Sequence, residues 1–237
     1  MTRSRSPLGL ICQGSSSRAP AAAAALVGVV FLIAPGEATA ESSLANNDGN
    51  TVSYQPPPAE RRDGFTIGVM QHFGLVSVSG YPNRISAIGV PEYRSSTGAE
   101  FGQASGLWLG GALRDWFTAG VGVSSAATFS QEPAGVISAF VLHLEAFPAF
   151  ALGGLYRDLG VALDVGTGFG ATMRGDDTEA EGGSLAYFGG TVFFEPLRFW
   201  HFSTGPSLTY SHQFSQTLSA HVVGLGWRFV FYGVQPD

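Results

Sequence analysis

The stretch LGVALDVGTGFGATM, residues 159–173, decides the fold class of this chain. Its odd-numbered positions carry Leu, Val, Leu, Val, Thr, Phe, Ala and Met, whereas its even-numbered positions are mostly glycine. A spacing of two is the period of a β-strand, because successive side chains point to opposite faces of a sheet. One face of the predicted strand is therefore large and apolar, and the other face is small.

The same alternation recurs along the chain from Gly64 to Tyr232. Trp108 and Phe188 interrupt it in two of the segments. Each segment has at least the roughly 9 to 11 residues that a tilted strand needs to cross a membrane. The predicted strands are 64–78, 101–113, 117–129, 136–147, 159–173, 184–194, 199–212 and 218–232.

The character of the small face indicates which side of the sheet is the inside. A soluble β-barrel keeps its large apolar side chains inside and its charged side chains outside. Here the small face is glycine, serine and threonine with few charges, which is typical of the crowded interior of a narrow barrel whose bulky face meets lipid. Backbone groups in lipid must pair within the chain, so the sheet must close. We predict an all-β, eight-stranded, antiparallel up-and-down transmembrane barrel.

The composition fits a membrane protein better than a soluble one. Only 13% of the 237 residues are charged, against about 25% in a typical soluble domain. All basic side chains other than histidine are arginine, and they form no basic patch of the kind that binds nucleic acid. The sequence therefore predicts no nucleic-acid partner.

The first forty residues predict an export signal. Three arginines precede the apolar run 20–34, and Ala38-Thr39-Ala40 is a small-x-small cleavage site before Glu41. We expect a signal peptide at 1–40, cleaved after Ala40, then a flexible polar and proline-rich leader at 41–63, then the barrel at 64–237. The only cysteine, Cys12, lies in the signal, so the mature chain has no disulfide scaffold.

Three similar short motifs, LRDW, LYRD and LRFW, occur between predicted strands. If both chain ends are periplasmic, all three lie on periplasmic turns. Aromatic rings are most stable at the boundary between lipid headgroups and hydrocarbon. The residues expected at this periplasmic interface are Arg114, Trp116, Tyr156, Arg157, Arg198 and Trp200.

These features resemble a known family. The signal peptide, the eight amphipathic strands with glycine-rich linings and the aromatic closing strand GLGWRFVFY (224–232) are similar to the small eight-stranded outer-membrane barrels of the OmpA/OmpX kind. The resemblance is architectural. It implies a Gram-negative cell envelope, with lipopolysaccharide and the barrel insertion machinery as partners. Separately, Tyr81-Pro82 and Val90-Pro91 in the long first loop indicate turns and an ordered exterior surface, which offers a site for a ligand or a further partner. In this family the closing strand usually ends the chain, whereas here five residues follow Tyr232.

The alternation of inward and outward positions along the predicted strands places several titratable side chains in the barrel interior. They form either a polar constriction that responds to protons or a buried ion-pair network in which Arg228 neutralises one or both carboxylates. The residues of this predicted polar network are His143, Glu145, Asp164, His201 and Arg228. His72 and His221 have no metal-ligand partner at a useful spacing, so no metal site and no cofactor are predicted.

The favoured function is that of a non-enzymatic outer-membrane barrel with a structural or binding role, or one that passes very small solutes. Two alternatives remain open. His201-Phe202-Ser203 resembles the His-x-Ser of outer-membrane lipid A deacylases, which implies a serine nucleophile and a histidine base. A secreted soluble barrel for an apolar ligand requires that Trp200, Trp227 and Phe229 face inward.

Overall fold

The computed structural model describes residues 62–130 and 132–233. The predicted signal peptide, its cleavage site after Ala40 and residues 41–61 of the predicted leader lie outside this part of the chain. Eight long strands follow one another: β1 Gly64–Gly80, β2 Glu100–Arg114, β3 Phe117–Thr128, β4 Ala134–Ala146, β5 Leu159–Arg174, β6 Asp177–Phe194, β7 Phe202–Phe214 and β8 Leu218–Tyr232.

The eight strands form one closed antiparallel sheet. Each strand pairs with the next along the chain, and β8 pairs with β1 from Thr66↔Tyr232 to Gly80↔Leu218. This closure confirms the predicted eight-stranded up-and-down barrel and the architecture that the family resemblance implied. Arg62 and Gly233 lie at one end of the barrel, named here the termini end. The other end is named the loop end.

Shorter elements lie in the connections. The segments Ser95–Ser96 and Leu197–Phe199 extend the sheet beside β1 and β7. Within the described residues, no helix is long or apolar enough to cross a bilayer. The helical turns are of the 3-10 type and span Ile85–Ala87, Pro91–Tyr93, Phe150–Leu152 and Gly154–Asp158.

The strand limits agree with the predicted ones except at two places. The β5–β6 hairpin turns at residues 175–176, so residues 177–183, which lie between two predicted strands, belong to β6. Gly175 provides the left-handed backbone of this turn (φ 58°), and the alternation continues beyond it with Ala180 fully buried. At the start of β7, Trp200 has φ 52° in a tight turn, so the strand begins at Phe202 rather than at residue 199.

The outward face is apolar on every strand. Trp200, Trp227 and Phe229 are 70%, 41% and 47% exposed, so the requirement of the soluble-barrel alternative is not met. Other exposed large apolar side chains, taken from different strands, are Phe65, Val69, Phe73, Leu107, Leu109, Val121, Val123, Phe140, Leu142, Leu163, Val165, Phe188, Val192, Leu208, Val223 and Leu225.

The inward glycines make room for a few large side chains. Trp108, which interrupts the alternation of β2, points into the barrel and is almost fully buried. Its indole lies where a Cβ atom on Gly68 would be. Tyr187 and Phe193 of β6 are also inward and buried, whereas Phe188 is outward, which accounts for the irregular pattern of that strand. The glycines of the lining therefore leave space for large inward side chains, which fill the interior.

Replacing Gly68 with alanine is expected to lower the free energy of unfolding by about 1–3 kcal/mol, because extra atoms in a filled core displace their neighbours. Gly183→Ala is the matched control, since a Cβ there meets nothing within 4 Å. The measurement is a urea titration in detergent micelles that follows the folded band by its heat-modifiable gel mobility. Equal midpoints for the two variants would contradict the close contact between Gly68 and Trp108.

Candidate functional site

A cluster of charged side chains lies inside the barrel, toward the termini end. His143 and Asp164 are direct partners across β4 and β5, and their Nδ1 and Oδ1 atoms are 2.6 Å apart. The other ring nitrogen of His143, Nε2, lies 2.8 Å from Oε1 of Glu145. Arg228 of β8 donates from Nη2 to the same oxygen over 2.7 Å. Four of the five residues of the predicted polar network therefore form one connected group.

Two further charged residues join this cluster, and the sequence reasoning did not include them. Glu195 follows β6 and lies 2.9 Å from Nη2 of Arg228. Arg62, which was assigned to the flexible leader, lies inside the barrel end with its Nη2 atom 3.7 Å from Glu195 and 3.2 Å from Asp158. The sequence did contain a signal for both residues. The inward positions of β1 are even-numbered and those at the end of β6 are odd-numbered, so Arg62 and Glu195 continue the inward faces beyond the ends of those strands.

Aromatic rings cover the guanidinium groups of the cluster. The guanidinium carbon of Arg228 lies 3.6 Å from the centre of the Phe193 ring, and that of Arg62 lies 3.5 Å from the centre of the Phe147 ring. The Trp108 indole packs on His143 with the ring centres 4.5 Å apart. Cations over aromatic faces gain electrostatic attraction that does not depend on water. The cluster is therefore packed on its sides as well as paired.

His201 is not part of the cluster. It lies in the turn before β7, where its ring packs against Trp200 and Phe231 with ring centres 4.5 and 5.7 Å away. The left-handed backbone of Trp200 forms this turn, so the parity of β7 does not extend back to His201. Among the described residues no hydrogen bond joins His201 to Ser203, and Nδ1 of His201 is buried without a hydrogen-bond partner.

The predicted periplasmic-interface residues all lie at the termini end. Arg157 pairs with Asp115 at 3.1 Å, and Arg198 pairs with Asp158 at 2.8 Å. Arg62 links these two pairs, because it also lies near both aspartates. The remaining members of the set have exposed side chains: Arg114, Trp116, Tyr156 and Trp200. Two of the three recurring arginines are thus anchored to acids.

The buried carboxylates and guanidinium groups of the cluster neutralise one another across the barrel interior. Glu145, Glu195, Arg62 and Arg228 are each almost fully buried, and every one of them has an oppositely charged neighbour within 4 Å. An isolated buried charge costs several kcal/mol, and pairing recovers much of that cost. The arrangement favours the ion-pair network over the open polar constriction.

A second group of polar residues lies on the outer surface at the loop end. His212 and His221 are direct partners across β7 and β8, and their rings stack with centres 4.1 Å apart and planes 9° apart. The sequence reasoning treated His221 as a lone histidine, because it did not use the register of the β7–β8 hairpin. Within the described part of the chain, no cluster of three or more His, Cys, Asp or Glu side chains forms a metal site.

Neither a protein-family model nor a curated protein matches this chain. Among solved structures it is similar to Neisserial surface protein A (NspA), with a TM-score of 0.46 and 7% sequence identity, covering 70% of this chain and 96% of that one. It is also similar to the outer membrane protein OprG from Pseudomonas aeruginosa, with a TM-score of 0.37 and 11% identity, covering 73% and 98%. Both TM-scores are below 0.5, so the fold is assigned from the closed sheet of the chain itself.

Replacing Glu145 with glutamine is expected to lower the free energy of unfolding by about 3–5 kcal/mol, because it removes a buried charge that Arg228 and His143 share. Glu179→Gln is the matched control. Its partner Arg174 has a side chain that is 59% exposed, and exposed pairs contribute at most about 1 kcal/mol. The glutamine keeps an oxygen that accepts the hydrogen bond from the Ser95 hydroxyl. Urea titration in micelles compares the two variants. Similar losses at both positions would show that the buried cluster contributes no more than a surface pair.

Proposed function

We propose that this chain is an integral protein of a bacterial outer membrane, and that its role is structural or binding rather than enzymatic. The observation that carries the proposal is the inverted distribution of side chains in the closed barrel. Large apolar residues are exposed on every strand, whereas Glu145, Glu195 and Arg228 are buried inside. Contact between this apolar surface and water would cost a large free energy, whereas contact with the hydrocarbon of a bilayer is favourable.

The termini end is proposed to face the periplasm. Both described ends of the chain, Arg62 and Gly233, lie there, whereas the longest connection, 81–99, lies at the loop end together with the short turns 175–176 and 215–217. Short periplasmic turns and longer extracellular loops are typical of outer-membrane barrels. Exposed Trp116, Tyr156 and Trp200 lie at this rim, where amphipathic rings meet headgroups. Lipopolysaccharide and the barrel insertion machinery are the partners that follow from this location.

The interior supports a closed barrel rather than a channel. Trp108, Arg62 and Phe147 are each at most 2% exposed. A barrel of about eight strands has an interior that side chains just fill. Passage of small solutes would require paired charges and packed rings to move together. We therefore place the function on the surfaces of the barrel.

The loop end offers a surface for a partner. The long connection after β1 is tied back to the barrel, because Ser95 and Ser96 pair with the last residues of β1 and Ser95 donates a hydrogen bond to Glu179 over 2.7 Å. Ile85 and Tyr93 in this connection are 93% and 55% exposed. An ordered extracellular loop with exposed apolar tips is the surface that we propose for binding.

The geometry does not favour the lipid hydrolase. A serine nucleophile must lie within hydrogen-bond reach of its base, and the base must be oriented by a third group. Ser203 is buried inside the barrel, while the His201 ring packs among Trp200 and Phe231. Two other histidines do contact serines: His72 lies 2.9 Å from Ser207 in the interior, and His212 lies 3.2 Å from Ser219 on the outer surface. Among the described residues neither ring has a carboxylate partner to orient it.

Single-tryptophan variants test the membrane location. The chain has four tryptophans, at positions 108, 116, 200 and 227. A variant that keeps only Trp227 is expected to lose much of its fluorescence in bilayers whose acyl chains carry bromine, because Trp227 faces outward. A variant that keeps only Trp108 is the matched control and should be quenched far less, because Trp108 is inside the barrel. Equal quenching of both, or of neither, would contradict the proposal.

Single-channel recording tests the closed interior. The purified barrel in a planar bilayer is expected to give no resolved conductance steps, because the buried ion pairs and aromatic side chains occupy its cross-section. Insertion is verified in the same preparation by heat-modifiable mobility. Stable ohmic steps from the folded protein would overturn the closed barrel and restore the passage of small solutes as its role.

A further inference from the structure

We infer that His212 and His221 form a binding site for one divalent transition-metal ion on the outer surface of the barrel, at the loop end. Both residues lie on the outward face of their strands, beside the hairpin that joins β7 to β8. His221 is exposed and His212 is half-buried. The site is separate from the buried charge cluster, and the inference is independent of where in the cell the barrel resides.

The hairpin fixes the two backbone positions. His212 and His221 are in direct register, and the turn between their strands is closed by hydrogen bonds to Ser215. The Ser215 amide donates to the carbonyl of Leu218 over 2.8 Å, and the Leu218 amide donates to the Ser215 hydroxyl over 3.1 Å. A rigid scaffold lowers the entropic cost of bringing two ligands to one ion.

The short distance between the two side chains allows two bonds to one ion. Two metal–nitrogen bonds of about 2.0–2.1 Å at a tetrahedral angle place their nitrogens about 3.3 Å apart. The ring centres of His212 and His221 are 4.1 Å apart but their planes are nearly parallel, whereas a bound ion lies in the plane of each ring. Binding therefore requires one ring to turn out of the stack, and the exposed side chain of His221 has room to do so. Two protonated rings so close would repel each other, and the neutral ring is the form that binds metal ions.

A hydroxyl group contacts one nitrogen of each ring. The Tyr210 hydroxyl lies 3.3 Å from Nδ1 of His221, and the Ser219 hydroxyl lies 3.2 Å from Nε2 of His212. Metal-binding histidines commonly use their second nitrogen for such a hydrogen bond, which fixes the ring and raises its basicity. The nitrogens left for the ion are Nε2 of His221 and Nδ1 of His212.

Two imidazole ligands also set which metals the site takes. Nitrogen ligands suit Cu²⁺, Ni²⁺ and Zn²⁺ better than Mg²⁺ or Ca²⁺, which take oxygen ligands. With only two protein ligands, water or an anionic group of the surrounding lipid fills the remaining positions. The site should therefore bind Cu²⁺ more tightly than Zn²⁺, in the usual order of stability, and exchange its ion readily.

Calorimetric titration with Cu²⁺ and Zn²⁺ tests the site on the barrel in detergent micelles, purified without a histidine tag. The expected result is one ion per barrel, with Cu²⁺ the tighter. H212Q and H221Q are each expected to weaken Cu²⁺ binding at least 10-fold. H201Q is the matched control, since His201 lies at the other end of the barrel, and it should leave the affinity unchanged.

Electron paramagnetic resonance of the Cu²⁺-loaded wild type gives a second test that needs no variant. Hyperfine structure from two coordinated imidazole nitrogens is expected. Absence of stoichiometric binding, a spectrum without two nitrogens, or an equal effect of H201Q would overturn the site. Heat-modifiable mobility of the same samples tests folding separately, so failure of the metal site is distinguishable from failure of the proposed membrane function.

Discussion

The pairing of the last strand with the first is the constraint on which the rest of the structure depends. β8 and β1 are in register along fifteen residue pairs, from Thr66↔Tyr232 to Gly80↔Leu218. Without this contact, both strands would expose a row of unpaired amides and carbonyls, which water can hydrogen-bond but hydrocarbon cannot. Closure removes both edges, and it also fixes which side chains share the narrow interior.

A narrow interior explains the unusual residue usage of the lining. Eight strands leave space for few large side chains, so glycine beside Trp108 and Tyr187 is a packing requirement rather than a sign of an open channel. The charges follow the same logic. Arg62 and Arg228 are taken out of water, and the carboxylates of Glu145 and Glu195, together with the faces of Phe147 and Phe193, replace the lost hydration.

The rim at the termini end and the buried cluster are one structure. Arg62 bridges them, since its side chain reaches Asp115 and Asp158 at the rim as well as Glu195 inside. Arg157 and Arg198 complete the same network by pairing with those aspartates, and both belong to the recurring short motifs of the sequence. These motifs therefore position the turns on the barrel end.

The sequence by itself determined the fold class, the number of strands and the direction of most side chains. A period of two with one small face is a local property, readable from residues such as 159–173 without knowledge of any partner strand. The tertiary structure alone decided which inward residues meet. Strand register brings Arg228 to Glu145 across 83 positions of sequence and places His212 against His221. The alternation along a strand predicts which face of the sheet a side chain lies on, but its contacts with other strands depend on register and on turn geometry. For that reason the structure excludes His201 from the predicted network and adds Arg62 to it.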